Sequence, residues 1–370
     1  MFQELIQKAA DAYSGQVAFV LYSKPHSGWL QAIFQKDETL NYSRDFTETG
    51  FIFSPFDGAS ASVILQADEI LNAKIDLEKP VADAFDHEEK IQQDDRERYL
   101  AMITKALVEI EKGDLKKVVL SRRIEVDHDS GPLVLFQRVL HEYPNAFCYL
   151  WHHPQVGTWI GATPEILIKS DGRHFKTMSL AGTQSALEFA KPEWTHKELG
   201  EQQMVTDYIE DALKGVAVSV VKSDMETIRA GDLWHLRTKL TGRFAPEAFG
   251  EVLRALHPTP AVCGTPLENA KAFIYAHEGY ARTFYTGFLG ELNMVTEVPR
   301  NKNRKNHEHN AYRTVVKKSE LYVNLRCMNV HREKAEIFVG GGITADSAPE
   351  KEWEETVFKS STMLRVFKHK

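Results

Sequence analysis

Two pairs of glutamates recur at the spacing of one helical turn. Glu198-x-x-Glu201 and Glu352-x-x-Glu355 each place two carboxylates on one helix face. The first pair runs into an apolar stripe through Val205, Tyr208 or Ile209, and Ala212, where a purely solvated pair is not expected. Facing each other, the pairs would form a cage of hard oxygen donors suited to Mg²⁺ and an anionic substrate. Each pair also has a plainer reading. Acids favour helix N-termini, and Glu355 with Lys359 is an ordinary i,i+4 ion pair. Gly340-Gly341-Gly342 lies just before the second pair. Three glycines let backbone N–H groups approach an anion, and they also make a tight turn.

Three further side chains could move protons. Lys117 opens the apolar run Val118-Val119-Leu120. A lysine there is usually exposed, but in a desolvated pocket beside Arg122 or another cation it would serve as a base. Glu165 follows Gly161-Ala162-Thr163-Pro164 and leads into Ile166-Leu167-Ile168. That context suits a general acid of raised pKa, or a carboxylate at a pocket rim. His235, between Leu233-Trp234 and Leu236, is a satisfied core histidine or a catalytic one.

The elements that must position these groups are legible in outline. Strand-like runs cover 17–22, 51–53, 117–122, 147–151, 158–161, 165–168, 284–289, 321–325 and 335–339. Helical patterns cover 99–110, 133–141, 195–213 and 251–256, and a last helix begins near Pro349. The charged stretch 87–98 reads as an exposed lead-in. The irregular alternation points to a layered, mixed α/β or α+β fold. The segment Arg300–Lys318 holds seven bases against one acid, and reads as a solvated hairpin extension or a docking arm for an anionic partner. His307 and His309 within it are a weak metal pair.

The chain has 370 residues, with 45 Lys+Arg against 52 Asp+Glu, hence a net charge of −7. That balance argues against nucleic acid or an anionic membrane as the main partner. No apolar run reaches the ~18 residues of a transmembrane helix, and the N-terminus lacks a basic signal-peptide start. Cys148, Cys263 and Cys327 form no CxxC pair, which argues against a disulfide framework or zinc site and for a reducing cytoplasm.

Taken in order, these segments resemble the chorismate-utilising enzymes. The runs are Lys117–Arg122, Gly161–Glu165, Leu180-Ala181-Gly182-Thr183, Leu233–Leu236, Leu256-His257-Pro258-Thr259-Pro260-Ala261-Val262, and Gly340–Ile343 through Ser347-x-Pro349-x-x-Glu352-Trp353-x-Glu355. The resemblance covers about Tyr99 to the C-terminus and is strongest to the isochorismate synthases. It implies a layered α/β (mixed α+β) fold, with antiparallel-rich sheets flanked by helices and the active site in a central cleft. It divides the chain into a variable part, 1–95, packed on a catalytic core, 96–370.

The resemblance also assigns roles. Lys117 matches the base that activates water for addition at C2 of chorismate, where ammonia-using relatives carry Gln. Glu165 matches the acid that protonates the departing C4 hydroxyl. Glu201 and Glu355 match the main Mg²⁺ ligands, with Glu198 and Glu352 as supporting or water-mediated partners. Arg326, Tyr285 and the backbone of Gly340, Gly341 and Gly342 match the carboxylate-binding region. Gly182, Thr183 and His235 would line the ring pocket, and Lys359 would lie near metal and carboxylate. The product would feed menaquinone or siderophore synthesis. A salicylate synthase, which eliminates pyruvate, and an inactive chorismate-fold binding protein are the alternatives. A monomer without a glutaminase subunit is expected. Three positions depart from the usual pattern: Gly200, Gln202 in place of a histidine, and Cys263.

Overall fold

A computed structural model describes residues 1–77, 93–186, 191–230, 233–299 and 313–367. Two large sheets stack face to face. The first has nine strands. Lys117–Asp127, Lys334–Ile343, Cys327–Val330, Gly157–Thr163 and Phe147–His153 lie side by side in it, with Gly264–Thr265 at one edge. Phe19–Ser23, Trp29–Phe34 and Glu69–Lys74 complete the other edge. The second has ten strands, among them Leu233–Phe244, His174–Ser185, Ile166–Asp171, Arg313–Val323, Phe288–Pro299 and Gly50–Ser54. The ladders that frame the site are antiparallel.

Seven helices lie among the described residues: α1 (Phe2–Ser14), α2 (Gln93–Lys112), α3 (Pro132–Glu142), α4 (His196–Leu213), α5 (Phe249–Leu256), α6 (Leu267–His277) and α7 (Pro349–Leu364). None is long and apolar enough to cross a membrane. The layered, antiparallel-rich expectation holds.

Strand alternation explains the layering. In Phe19-Val20-Leu21-Tyr22 every side chain is buried. Phe19 and Leu21 face α1 and α3, whereas Val20 and Tyr22 face the other sheet. A strand covered on both faces reads as an unbroken apolar run. The layer between the sheets is largely aromatic, with Phe51, Phe53, Phe147, Tyr149, Trp151, Trp159 and Tyr322. The outer face of the second sheet packs against α4 and α5. Residues before 77 supply strands to both sheets: Phe19–Ser23 pairs with Phe147–His153, and Gly50–Ser54 with Phe288–Pro299.

Several element boundaries differ from expectation. The strands expected at 117–122, 165–168, 321–325 and 335–339 are Lys117–Asp127, Ile166–Asp171, Arg313–Val323 and Lys334–Ile343. Two further differences have a clear local cause. The strand anticipated at 284–289 begins at Phe288, because Thr283 and Thr286 adopt left-handed backbone (φ 48° and 60°) in the preceding turn. The lead-in anticipated at 87–98 is helical from Gln93, with Asp94 and Asp95 in the first turn of α2; residues 87–92 lie outside the described residues. Four of the basic residues, Arg300, Lys302, Arg304 and Lys305, and the pair His307 and His309 also lie outside them. The flanking strands do pair as a hairpin, up to Pro299 opposite Arg313.

Candidate active site

A cavity of about 140 Å³ opens between the two sheets and α4 and α7. The second sheet contributes Leu180, Ala181, Gly182, Thr183, Leu233 and His235, and the first contributes Val119 and Phe338 to Gly342. Lys197, Glu198 and Glu201 enter from the first turn and a half of α4, and Glu355 and Lys359 from α7. Glu165 and Arg326 come from connections between strands, and Tyr285 from the connection between α6 and strand Phe288–Pro299.

The glycine run forms the floor. Gly340 to Ile343 lie opposite Ser121 to Val118 in the ladder. A Cβ on Gly342 would stand 2.5 Å from Glu201 Oε1 and 2.9 Å from Lys117 Cε, so a larger residue there would have to displace the charged pair. Lys117 is fully buried. Its Nζ lies 2.7 Å from Glu201 Oε1, an ion pair without hydrogen-bond alignment. It therefore meets the cavity through Glu201 rather than as part of its wall.

Glu165 is buried between two strands, its backbone tied to Thr163 and Val323. Burial raises its carboxyl to about 7, against the opposing pull of Lys117, Arg326 and Lys359. A large part of its population is thus protonated near neutral pH. His235 is the reverse case. Burial, and then Arg326, lower it to about 3. Arg326 can only donate, so its Nη2, 3.2 Å away, fixes His235 Nε2 as acceptor. Nδ1–H then donates to Gly182 O at 3.1 Å. His235 is a neutral, oriented wall residue. Arg326 holds a left-handed backbone (φ 48°), uncommon for a residue with a side chain, and its own carbonyl accepts from Ala162 N. Tyr285 stacks on Phe338, and burial raises its hydroxyl above its ordinary range.

The four glutamates divide their work. Glu198 folds back to cap its own helix, accepting from Thr195 N at 2.9 Å and from the Thr195 hydroxyl. The other three each meet one lysine: Glu201 with Lys117, Glu352 with Lys197, and Glu355 with Lys359 at 2.6 Å. Lys359 also donates to Gly340 O at 3.0 Å. Burial acts to raise Glu201, but Lys117, Lys359 and Lys197 outweigh it and hold the carboxylate below its ordinary value. Glu352 is raised, first by burial and then by the neighbouring Glu355 charge. Its Oε2 is buried with no hydrogen-bond partner. Among the described residues no three His, Cys, Asp or Glu side chains gather around one point. The orphaned oxygen, and the repulsion between Glu352 and Glu355, nonetheless make this donor set chemically suited to a hard divalent cation.

Helix α7 is pinned by Arg122, whose Nε donates to Thr356 Oγ1 at 2.8 Å while its guanidinium lies over Trp353. Gln202, beside Glu201, is buried. Its amide meets the hydroxyls of Ser179, Thr206 and Thr238 within 3.0 Å, fixing α4 to the second sheet. Gly200 faces open space. Cys263 is packed in the apolar cluster of α2 and α6. Sequence reasoning missed Lys197, the cation on Glu352; the only trace of it was a basic residue one turn before Glu201.

Comparisons with known proteins place the chain in a family. The family model described as chorismate binding enzyme matches residues 59–298 and 312–365. The isochorismate synthase EntC of Escherichia coli K12 is 30% identical over 280 residues, covering 72% of this chain and 66% of that one. The isochorismate synthase DhbC of Bacillus subtilis is 28% identical, covering 76% and 73%. The chain thus spans slightly less than two thirds of EntC. A crystal structure described as a putative 2,3-dihydroxybenzoate-specific isochorismate synthase, DhbC from Bacillus anthracis, superposes with a TM-score of 0.76 at 22% identity, over 98% of this chain and 99% of that one. The menaquinone-specific isochorismate synthase MenF of Escherichia coli gives 0.73 at 18%, over 94% and 88%. With most of its length matched and its cavity built from both sheets, this chain belongs to the chorismate-binding enzyme family.

Proposed function

We propose that the protein is an isochorismate synthase that converts chorismate to isochorismate with Mg²⁺ bound, in the cytoplasm, for menaquinone or siderophore synthesis. The observation that carries this reading is Glu165, a buried carboxyl held near pKa 7 on a cavity wall it shares with Arg326 and a neutral His235. A group half protonated near neutral pH can donate to a leaving hydroxyl.

In the proposed reaction Lys117 acts as the neutral amine, released from its ion pair with Glu201, and takes a proton from water, whose oxygen bonds to C2 of the ring. Both ring double bonds shift, C1=C2 to C1=C6 and C5=C6 to C4=C5, and the C4 hydroxyl leaves as water with the proton of Glu165. One water enters and one departs, so product and substrate are isomers. Arg326, Tyr285 and the Gly340–Gly342 backbone receive a carboxylate, and Gly182, Thr183 and His235 orient the ring. Glu201 and Glu355 would hold Mg²⁺, with Glu198 and Glu352 in support. Bound Mg²⁺ supplies positive charge to the dianionic substrate.

Incubation with chorismate and Mg²⁺, followed by chromatography of the products, tests the proposal. Isochorismate without pyruvate and without added ammonium is expected. Pyruvate release would instead indicate a salicylate synthase, and no consumption of chorismate a binding protein.

A further inference from the structure

Each lysine of the site answers one glutamate, but the three pairs are not alike. Lys117 is enclosed beneath Gly342, and Lys359 has a second anchor on Gly340 O. Lys197 is different. It lies in the first turn of α4, still partly open to the cavity, and its ammonium meets Glu352 Oε1. Glu352 is almost wholly buried, and its second oxygen has no partner. Glu355 and Glu201 lie close enough to act on Lys197 electrostatically, although its ion pair is with Glu352 alone. A buried carboxylate without a cation is costly, and without a metal this lysine meets that need.

We propose that Lys197 is the internal counter-cation of the carboxylate set, leaving Glu352 when a divalent cation binds and thereby weakening the affinity for that cation. The inference rests on the reading of these glutamates as a Mg²⁺ site. It adds that the metal-free site is pre-neutralised, so metal binding is an exchange of one cation for another. A tethered ammonium keeps like charges from spreading the two helices apart while the site awaits metal, at the expense of tight binding.

Calorimetric titration of the substrate-free protein with MgCl₂ tests it. Lys197→Met keeps the length of the side chain and removes the charge. This variant should bind Mg²⁺ about tenfold more tightly, the scale of losing one unit charge in a partly buried site. Without Mg²⁺ it should melt below wild type, and saturating Mg²⁺ should close that gap. Lys197→Arg, which keeps the cation, should titrate like wild type. A variant-free readout is acylation of lysine amines followed by peptide mass spectrometry, in which Mg²⁺ should increase labelling of Lys197. Unchanged or weaker Mg²⁺ affinity in Lys197→Met, or unchanged labelling, would overturn the inference while leaving the metal site intact. A wild-type protein that binds no Mg²⁺ would overturn the inference together with the metal reading on which it rests.

Discussion

Glu165 is kept protonatable at the expense of stability. Its carboxyl rises from an ordinary 4.5 to about 7 on folding. Between those values the folded state binds more protons than the unfolded one, so stability falls as pH rises through this window. The cost is absent below 4.5 and complete above 7. Glu165→Gln removes it. The variant should melt higher than wild type at pH 8, by a free energy of order 2–4 kcal/mol, and the gap should shrink toward pH 5. The same variant should convert no chorismate. Lys117→Gln should lower kcat by about 10²- to 10⁴-fold, as loss of a positioned base does, and kcat at saturating chorismate checks it. Glu165 and Lys117 were legible in the sequence because charged residues standing against apolar strands are conspicuous. Lys197 was not: its partner lies 155 positions away, and nothing in a polar helix start announces a distant carboxylate.

The elements hold these groups by close approach. Strand Lys334–Ile343 passes beneath the Lys117–Glu201 pair, and a glycine at 342 leaves that pair undisturbed. Gly342→Ala should push that pair apart, costing about 1–3 kcal/mol in overpacking and most of the activity. Denaturant unfolding alongside initial rates would separate the two losses. Helix α4 is set by Gln202 on three hydroxyls. Gln202→Leu leaves them without their buried partner and should cost about 1–3 kcal/mol, measurable as a lower melting temperature. The departure from the expected histidine is thus accommodated by a hydroxyl cluster. Helices α3, α4, α5 and α7 were readable from apolar stripes and from Pro349, because their periodicity is local. Helices α1 and α6 are not among the expected elements; the N-terminal run is read only for the absence of a basic signal-peptide start. The strand at 284–289 was misread because a tight turn with left-handed threonines shares the apolar composition of a strand.

The whole molecule joins these elements through pairings that no local pattern discloses. The apolar runs at 17–22 and 51–53 announced buried strands, yet not that the first would extend one sheet and the second the other. Long-range register depends on which edges meet. Net charge was similarly silent about the site. A chain of −7 places Lys197, Arg326 and Lys359 around one cavity, with Lys117 behind Glu201, beside carboxylates suited to a metal. Acidity overall and cationic placement locally are compatible, because a narrow cleft is governed by its own walls. Water addition to chorismate at this cleft is the central proposal. The reaction run in ¹⁸O-labelled water with Mg²⁺, with the product read by mass spectrometry and NMR, tests it most directly. The expected product is isochorismate carrying one ¹⁸O at the C2 hydroxyl, formed by wild type and about 10²- to 10⁴-fold more slowly by Lys117→Gln. Unlabelled isochorismate, or labelled product at wild-type rate from Lys117→Gln, would contradict it.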